Sequence, residues 1–145
     1  MEKTIHSLEE LGAEAQTFIA SLTPQVGGAT LITLSGELGA GKTAFTQALA
    51  LALGITDVVQ SPTFVLEKIY TLPEGRSFRR LVHIDAYRLT SGSDLRTIAF
   101  DQMMHDEENL IVVEWPERVA DMLPPADAAI TLVAHDDGTR TMTYA

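Results

Sequence analysis

Two kinds of apolar spacing take turns along the chain. Leu8, Leu11, Ala15, Phe18 and Leu22 recur every three or four residues, which gathers them on one face of a helix. Ser7 stands where an N-cap belongs, and Glu9 and Glu10 occupy the favourable first turn. Thr23-Pro24 and Gly27-Gly28 end that element before the continuous apolar run Ala29 to Leu34. From Ala44 to Leu53 the chain is apolar nearly all round, predicting a helix buried beneath a sheet, with Gly54 as its stop. Phe64 to Tyr70 and Arg79 to Ile84 are rich in β-formers and flank the turn Pro73-Glu74-Gly75, so a hairpin is expected. Ser91-Gly92-Ser93 opens a predicted helix running to about Met104. Leu110 to Val113 has the unbroken apolar character of a central strand covered on both faces. Ala129 to Val133 and Thr139 to Tyr144, joined by Asp136-Asp137-Gly138, read as a closing hairpin. With no repeats or linkers, strands alternating with helices predict one α/β domain over residues 1–145 with a mixed sheet.

Composition narrows this picture. A chain of 145 residues can bury a core but has little room for a second one, and 46% hydrophobic content argues against disorder. There are no cysteines, so disulfides and thiolate zinc sites are excluded, which fits a reducing cytoplasm. Met1 to Thr4 leads directly into an acidic amphipathic stretch rather than a signal peptide, and no apolar run approaches a membrane span. A net charge of −10 disfavours nucleic acid as a direct ligand, because such affinity rests on phosphate contacts. Six of the ten basic residues nevertheless cluster between Lys68 and Arg96. They form either a solvated face or a docking patch for an acidic partner or RNA.

The stretch that carries chemistry is Gly36-Glu37-Leu38-Gly39-Ala40-Gly41-Lys42-Thr43, between the first apolar run and the apolar helix. Strand, glycine-rich loop, helix is the order of a P-loop. The glycines permit close backbone approach, and the successive N–H groups at a helix start form an anion site. Lys42 can reach β- and γ-phosphates, and the Thr43 hydroxyl can ligate Mg²⁺. The expected fold is accordingly a P-loop NTPase-like three-layer sandwich, with a nucleoside triphosphate and Mg²⁺ as ligands.

Two apolar strands end on carboxylates, Leu81 to Asp85 and Leu110 to Glu114. Ligands of such sheets sit beyond the carboxyl ends of the strands, so one acid can hold Mg²⁺ while the other orients attacking water. Thr63, in Ser61-Pro62-Thr63, has a hydroxyl that can sense the γ-phosphate or its metal from a switch-like loop. Trp115 reads by size as a core residue, and His83 as a satisfied structural one. Arg88 is either an ion-pair partner or a phosphate contact, and no arginine is placed in the phosphate site by its motif.

Gly36 to Thr43, Ser61 to Phe64, His83-Ile84-Asp85-Ala86-Tyr87-Arg88-Leu89 and Val113-Glu114-Trp115-Pro116-Glu117 together resemble the TsaE family. These are bacterial ATPases required for threonylcarbamoyladenosine modification of tRNA beside the anticodon. The resemblance implies that Lys42 and Thr43 serve phosphate and Mg²⁺, and that Glu114 is the second Mg²⁺ ligand. Asp85 would support hydrolysis, Thr63 would belong to a switch-like loop, and Trp115 and Glu117 would lie near the nucleotide. It also implies TsaB and TsaD as partners, with TsaD performing the transfer and tRNA reached through the complex. The family's adenine-site threonine falls four residues before a glycine. With Gly12 as that glycine this chain has Leu8 there, and Ser7 is the substitute. Where Ala99 aligns, the family carries a glycine. A small-molecule kinase would need an acceptor pocket and lid for which the chain is short, and a GTPase lacks its Asn-Lys-x-Asp stretch. A non-hydrolysing ATP-binding scaffold is the alternative outside enzymes.

Overall fold

The computed structural model describes residues 1–37, 39–55 and 67–144. Leu38 and the Ser61-Pro62-Thr63 loop with Thr63 lie outside the described residues, as does the start of the strand expected from Phe64. One sheet of seven strands runs through the molecule in the order β1-β7-β6-β2-β5-β4-β3. Its centre is parallel: β2 (Thr30–Ser35) lies between β6 (Ala128–Ala134) and β5 (Asn109–Glu114), and β5 pairs in turn with β4 (Arg80–Asp85). The antiparallel strand β3 (Glu67–Thr71) closes one side as the far arm of the hairpin onto β4. On the other side β7 (Arg140–Tyr144) folds back on β6, and β1 (Glu2–Ile5) adds outside it. β1 was not expected. Its polar Glu2, Lys3 and Thr4 carry no strand pattern, and the ladder to β7 supplies what they lack.

Because strand side chains alternate in direction, the sheet builds two cores. Ile32, Leu34, Leu81, Val112, Ile130 and Leu132 face helices α1 (Leu8–Ser21) and α2 (Lys42–Ala52). Leu31, Val82, Ile84, Ile111 and Val113 face the other way, under Leu95, Phe100 and Val119. Helical layers on both faces of a mixed sheet make the three-layer α/β sandwich. Helix α1 starts as its sequence dictates, with the Ser7 hydroxyl accepting from the Glu10 N–H at 3.1 Å. It buries Leu11, Ala15 and Phe18, while Leu8 points to solvent. Phe18 stacks on Tyr144 and tilts against Phe45 of α2, joining both helices to the closing hairpin.

Two helical expectations need correcting. Helix α2 is not covered all round: Phe45, Thr46, Leu49 and Ala50 are buried, but Leu51 is 71% exposed. The sheet and α1 take two sides of it, and the third meets water. The helix expected up to Met104 is instead a 3₁₀ segment, Gly92–Ile98, then the short α3 (Phe100–Met104), broken by Ala99 at φ 55°. No helix among the described residues is long and apolar enough to cross a membrane.

Candidate functional site

The parallel strands β2, β4 and β5 all end toward the same side, and their last residues set the site. Register places Asp85 beside Glu114, and Leu34 on the other side of Glu114. Beyond β2 the chain turns through Gly36, Gly39 and Gly41, all with positive φ. Gly36 has a further reason to be glycine: a Cβ there would fall 2.4 Å from the Leu132 carbonyl oxygen of β6. Gly41 enters α2 in the left-handed conformation, and its carbonyl accepts from the Phe45 N–H at 2.9 Å. The loop is therefore drawn tightly onto the sheet at the start of α2, whose first N–H groups have no intrahelical partner.

Lys42 is 5% exposed. Its Nζ donates to the carbonyls of Gly36 at 2.5 Å and Glu37 at 3.0 Å, and stands 4.0 Å from the Trp115 ring centroid. Burial pushes its pKa down, and the carboxylates of Glu114, Glu117, Asp85 and Glu37 oppose that shift. Its backbone carbonyl accepts from the Thr46 hydroxyl at 3.0 Å.

Glu114 is 2% exposed, and its Oε2 meets Nε2 of the fully buried His83. The two sit on one face of neighbouring strands, which is why a residue two positions before Asp85 reaches the tip of β5. His83 is only half satisfied among the described residues: its Nδ1 is buried and meets no hydrogen-bond partner there. Asp85 is partly exposed, and its Oδ1 accepts from the Tyr87 N–H at 3.0 Å, so the strand turns sharply after it. Trp115, a core residue by size and a neighbour of the nucleotide by family resemblance, packs against the second core and also lines the cleft, in the left-handed region with φ 59°. Tyr87 tilts against it at 4.9 Å, and the Arg118 guanidinium lies over both rings.

Lys42, Thr43, Asp85, Glu114 and Trp115 thus line one cleft of about 450 Å³, together with Gly39, Gly41, Tyr87 and Arg88. A second cavity of about 470 Å³ lies across Trp115, bounded by Gly36, Glu37, Ala40, Glu117 and β6. Ser7 lines neither, and its hydroxyl is engaged in capping α1. Sequence reading missed Arg140. From the first position of β7 its side chain crosses to the loop, and a Cβ on Gly41 would meet its Nε at 3.1 Å and its Cζ at 3.2 Å. The only signal was its place after the Asp136-Asp137-Gly138 turn, which says nothing of a loop a hundred residues earlier.

The donor set fits a nucleotide phosphate chain and a hard cation. A glycine turn with no room for side chains, a buried ammonium and N–H groups without an intrahelical partner suit phosphate. The Thr43 hydroxyl and the Glu114 oxygen not held by His83 suit Mg²⁺, which completes its shell with phosphate and water. Among the described residues no group of three His, Asp or Glu side chains offers a cage of its own.

The family model described as "Threonylcarbamoyl adenosine biosynthesis protein TsaE" matches residues 5–142. The chain is 40% identical over 116 residues to the tRNA threonylcarbamoyladenosine biosynthesis protein TsaE of Treponema pallidum, covering 80% of this chain and 82% of that one. It is 36% identical over 117 residues to the protein of the same name from Bacillus subtilis, covering 79% and 68% respectively. The crystal structure of Bacillus subtilis YdiB superposes with a TM-score of 0.77 at 28% identity, over 99% of this chain and 83% of that chain. Matched from its first strand to its last, the chain belongs to the TsaE family, which takes part in tRNA threonylcarbamoyladenosine biosynthesis.

Proposed function

We propose that the protein binds and hydrolyses Mg·ATP in the cleft beyond β2, β4 and β5. In the cytoplasm it would support the transferase cycle of TsaB- and TsaD-type partners on tRNA. The observation that carries this is convergence: Lys42, Thr43, Asp85 and Glu114, spread over three strand ends, line one cavity. In this reading the N–H groups from Gly39 to Thr43 cradle the phosphates, and Lys42 turns to them from the Gly36 and Glu37 carbonyls. Thr43 and Glu114 hold Mg²⁺, which when bound offsets charge on the phosphate oxygens. His83 fixes the Glu114 carboxylate from behind. Asp85, open to the cleft and oriented by the Tyr87 N–H, positions the attacking water. Trp115 and Glu117 border the nucleotide, and the loop bearing Thr63 reports nucleotide state.

The test is calorimetric titration with Mg·ATP beside a phosphate-release assay, on wild type and Lys42→Ala. Loss of the charge-assisted contacts of Lys42 is expected to weaken binding by about 100-fold. Unchanged affinity in a folded variant defeats the site. Tight wild-type binding with no phosphate released, alone or with TsaB and TsaD, would leave a scaffold. Transfer to a small acceptor instead of water would leave a kinase.

A further inference from the structure

The cleft contains a cation that neither the P-loop motif nor the acid-tipped strands account for. Arg140 begins β7, where it pairs with Ala134 of β6 on one side and Ile5 of β1 on the other. Its backbone is held by ladders on both flanks, so the side chain departs from a fixed point rather than from a loose loop. From there it reaches the glycine turn, with Nε, Cδ and Cζ all within 3.1–3.2 Å of where a Cβ of Gly41 would stand. That approach is tight enough that glycine at position 41 serves the arginine as well as the turn. The side chain is half-buried and lines the same cavity as Lys42 and Thr43. Among the described residues it makes no hydrogen bond and no ion pair. Other arginines of the chain are engaged: Arg80 with Asp106, Glu108 and Asn109, Arg79 with Glu108, Arg76 with the Ala52 carbonyl.

Lys42 has the carboxylates of Glu114, Glu117, Asp85 and Glu37 to offset its charge, whereas the half-buried Arg140 guanidinium has no hydrogen-bond or ion-pair partner among the described residues. An anion bound in the cleft gives it one. Guanidinium is also the side chain whose planar fork matches phosphate oxygens bidentately. We propose that Arg140 is a phosphate-binding residue of the nucleotide site, an arginine supplied in cis by the last strand. It works with Lys42 from the opposite side of the glycine turn. This rests on the nucleotide reading of the cleft and deepens it.

The experiment is isothermal titration calorimetry of wild type, Arg140→Gln and Arg140→Lys with two probes, ADP and inorganic triphosphate. Thermal melts confirm that each variant is folded. Arg140→Gln should lose about 10- to 100-fold in affinity for both probes, the range for losing a charge-assisted hydrogen bond. Arg140→Lys keeps the charge but not the fork and should fall between. If Arg140→Gln fails to fold, the lysine variant decides, and wild-type affinity for both probes in it overturns the proposal. Equal affinities in wild type and Arg140→Gln also overturn it. So does a loss for ADP with triphosphate unaffected, since that places the guanidinium on the nucleoside. Wild type that binds neither probe, with Lys42→Ala indistinguishable from it, would remove the nucleotide reading itself. Wild type that binds both while Arg140→Gln matches it removes only Arg140.

Discussion

At the scale of single residues, the two strand-tip carboxylates differ in a way their sequence context conceals. Glu114 is buried and shared with His83, whereas Asp85 is partly open and bonded to a backbone N–H. Replacing them should separate two properties. Asp85→Asn keeps an oxygen for the Tyr87 N–H, so the fold and nucleotide affinity should persist. Phosphate release should drop by about 100-fold or more, the scale of losing a positioned catalytic group. Glu114→Ala should instead abolish the gain in ATP affinity on adding Mg²⁺. It should also lower the melting temperature, because His83 is left buried with neither ring nitrogen bonded to a described residue, a cost of about 1–3 kcal/mol. Titrations with and without Mg²⁺, paired with phosphate release and melts, check both. Metal dependence lost in Asp85→Asn and kept in Glu114→Ala would reverse the roles. The carboxylates, Lys42 and Thr43 were legible because each closes a short local pattern. His83 was not read as a site residue, since its contact is made across two strands.

At the scale of elements, the informative places are those where the chain departs from its expected helix. Ala99 separates the 3₁₀ segment from α3 at φ 55°, a region that costs an L-residue about 1–2 kcal/mol. Glycine adopts this region without that cost. Ala99→Gly should therefore raise stability by about 0.5–1 kcal/mol net of the looser unfolded chain. A denaturant melt measures it, and a lower midpoint would contradict the left-handed geometry. Gly92, at the start of the same segment, behaves oppositely. Its N–H donates to Asp121 Oδ1 at 2.7 Å, and a Cβ would lie 2.2 Å from Met122 Cγ. Gly92→Ala should destabilise by about 1–3 kcal/mol through that overlap. The 3₁₀ segment is thus pinned to the chain after Pro116–Arg118, which carries on from Trp115 at the cleft.

At the scale of the whole molecule, charge decides what the protein can hold by itself. The basic cluster between Lys68 and Arg96 is drawn down locally, with Arg79 and Arg80 facing Glu108 and Asp106 at the start of β4 and β5. With a net charge of −10 over the chain, little field remains to attract RNA. Filter binding of the isolated protein to tRNA should show affinity no better than non-specific binding, roughly 10⁻⁴–10⁻⁶ M at physiological salt. Tighter binding would place tRNA directly on this chain. In the proposed cycle, phosphate release should change when TsaB- and TsaD-type partners are added. Efficient solo turnover that no partner alters, with no co-migration in ATP, would defeat that coupling.

What the sequence determined by itself are features stored in neighbouring residues. The glycine turn runs into Lys42-Thr43, Ser7 caps α1, and apolar runs end on Asp85 and Glu114. The Asp136-Asp137-Gly138 turn returns β7 along β6. Each is a matter of backbone freedom, hydrogen-bond chemistry or side-chain period within a few positions, so order along the chain suffices to read it. The tertiary structure decided what depends on pairing between distant strands. It added the polar β1 to the sheet edge and left Leu51 in water on a helix that looked wholly buried. It set His83 behind Glu114 and laid Arg140 across Gly41, nearly a hundred residues away. Such contacts follow from strand order and register, and a parallel sheet fixes these only when crossover helices and edge strands are in place together.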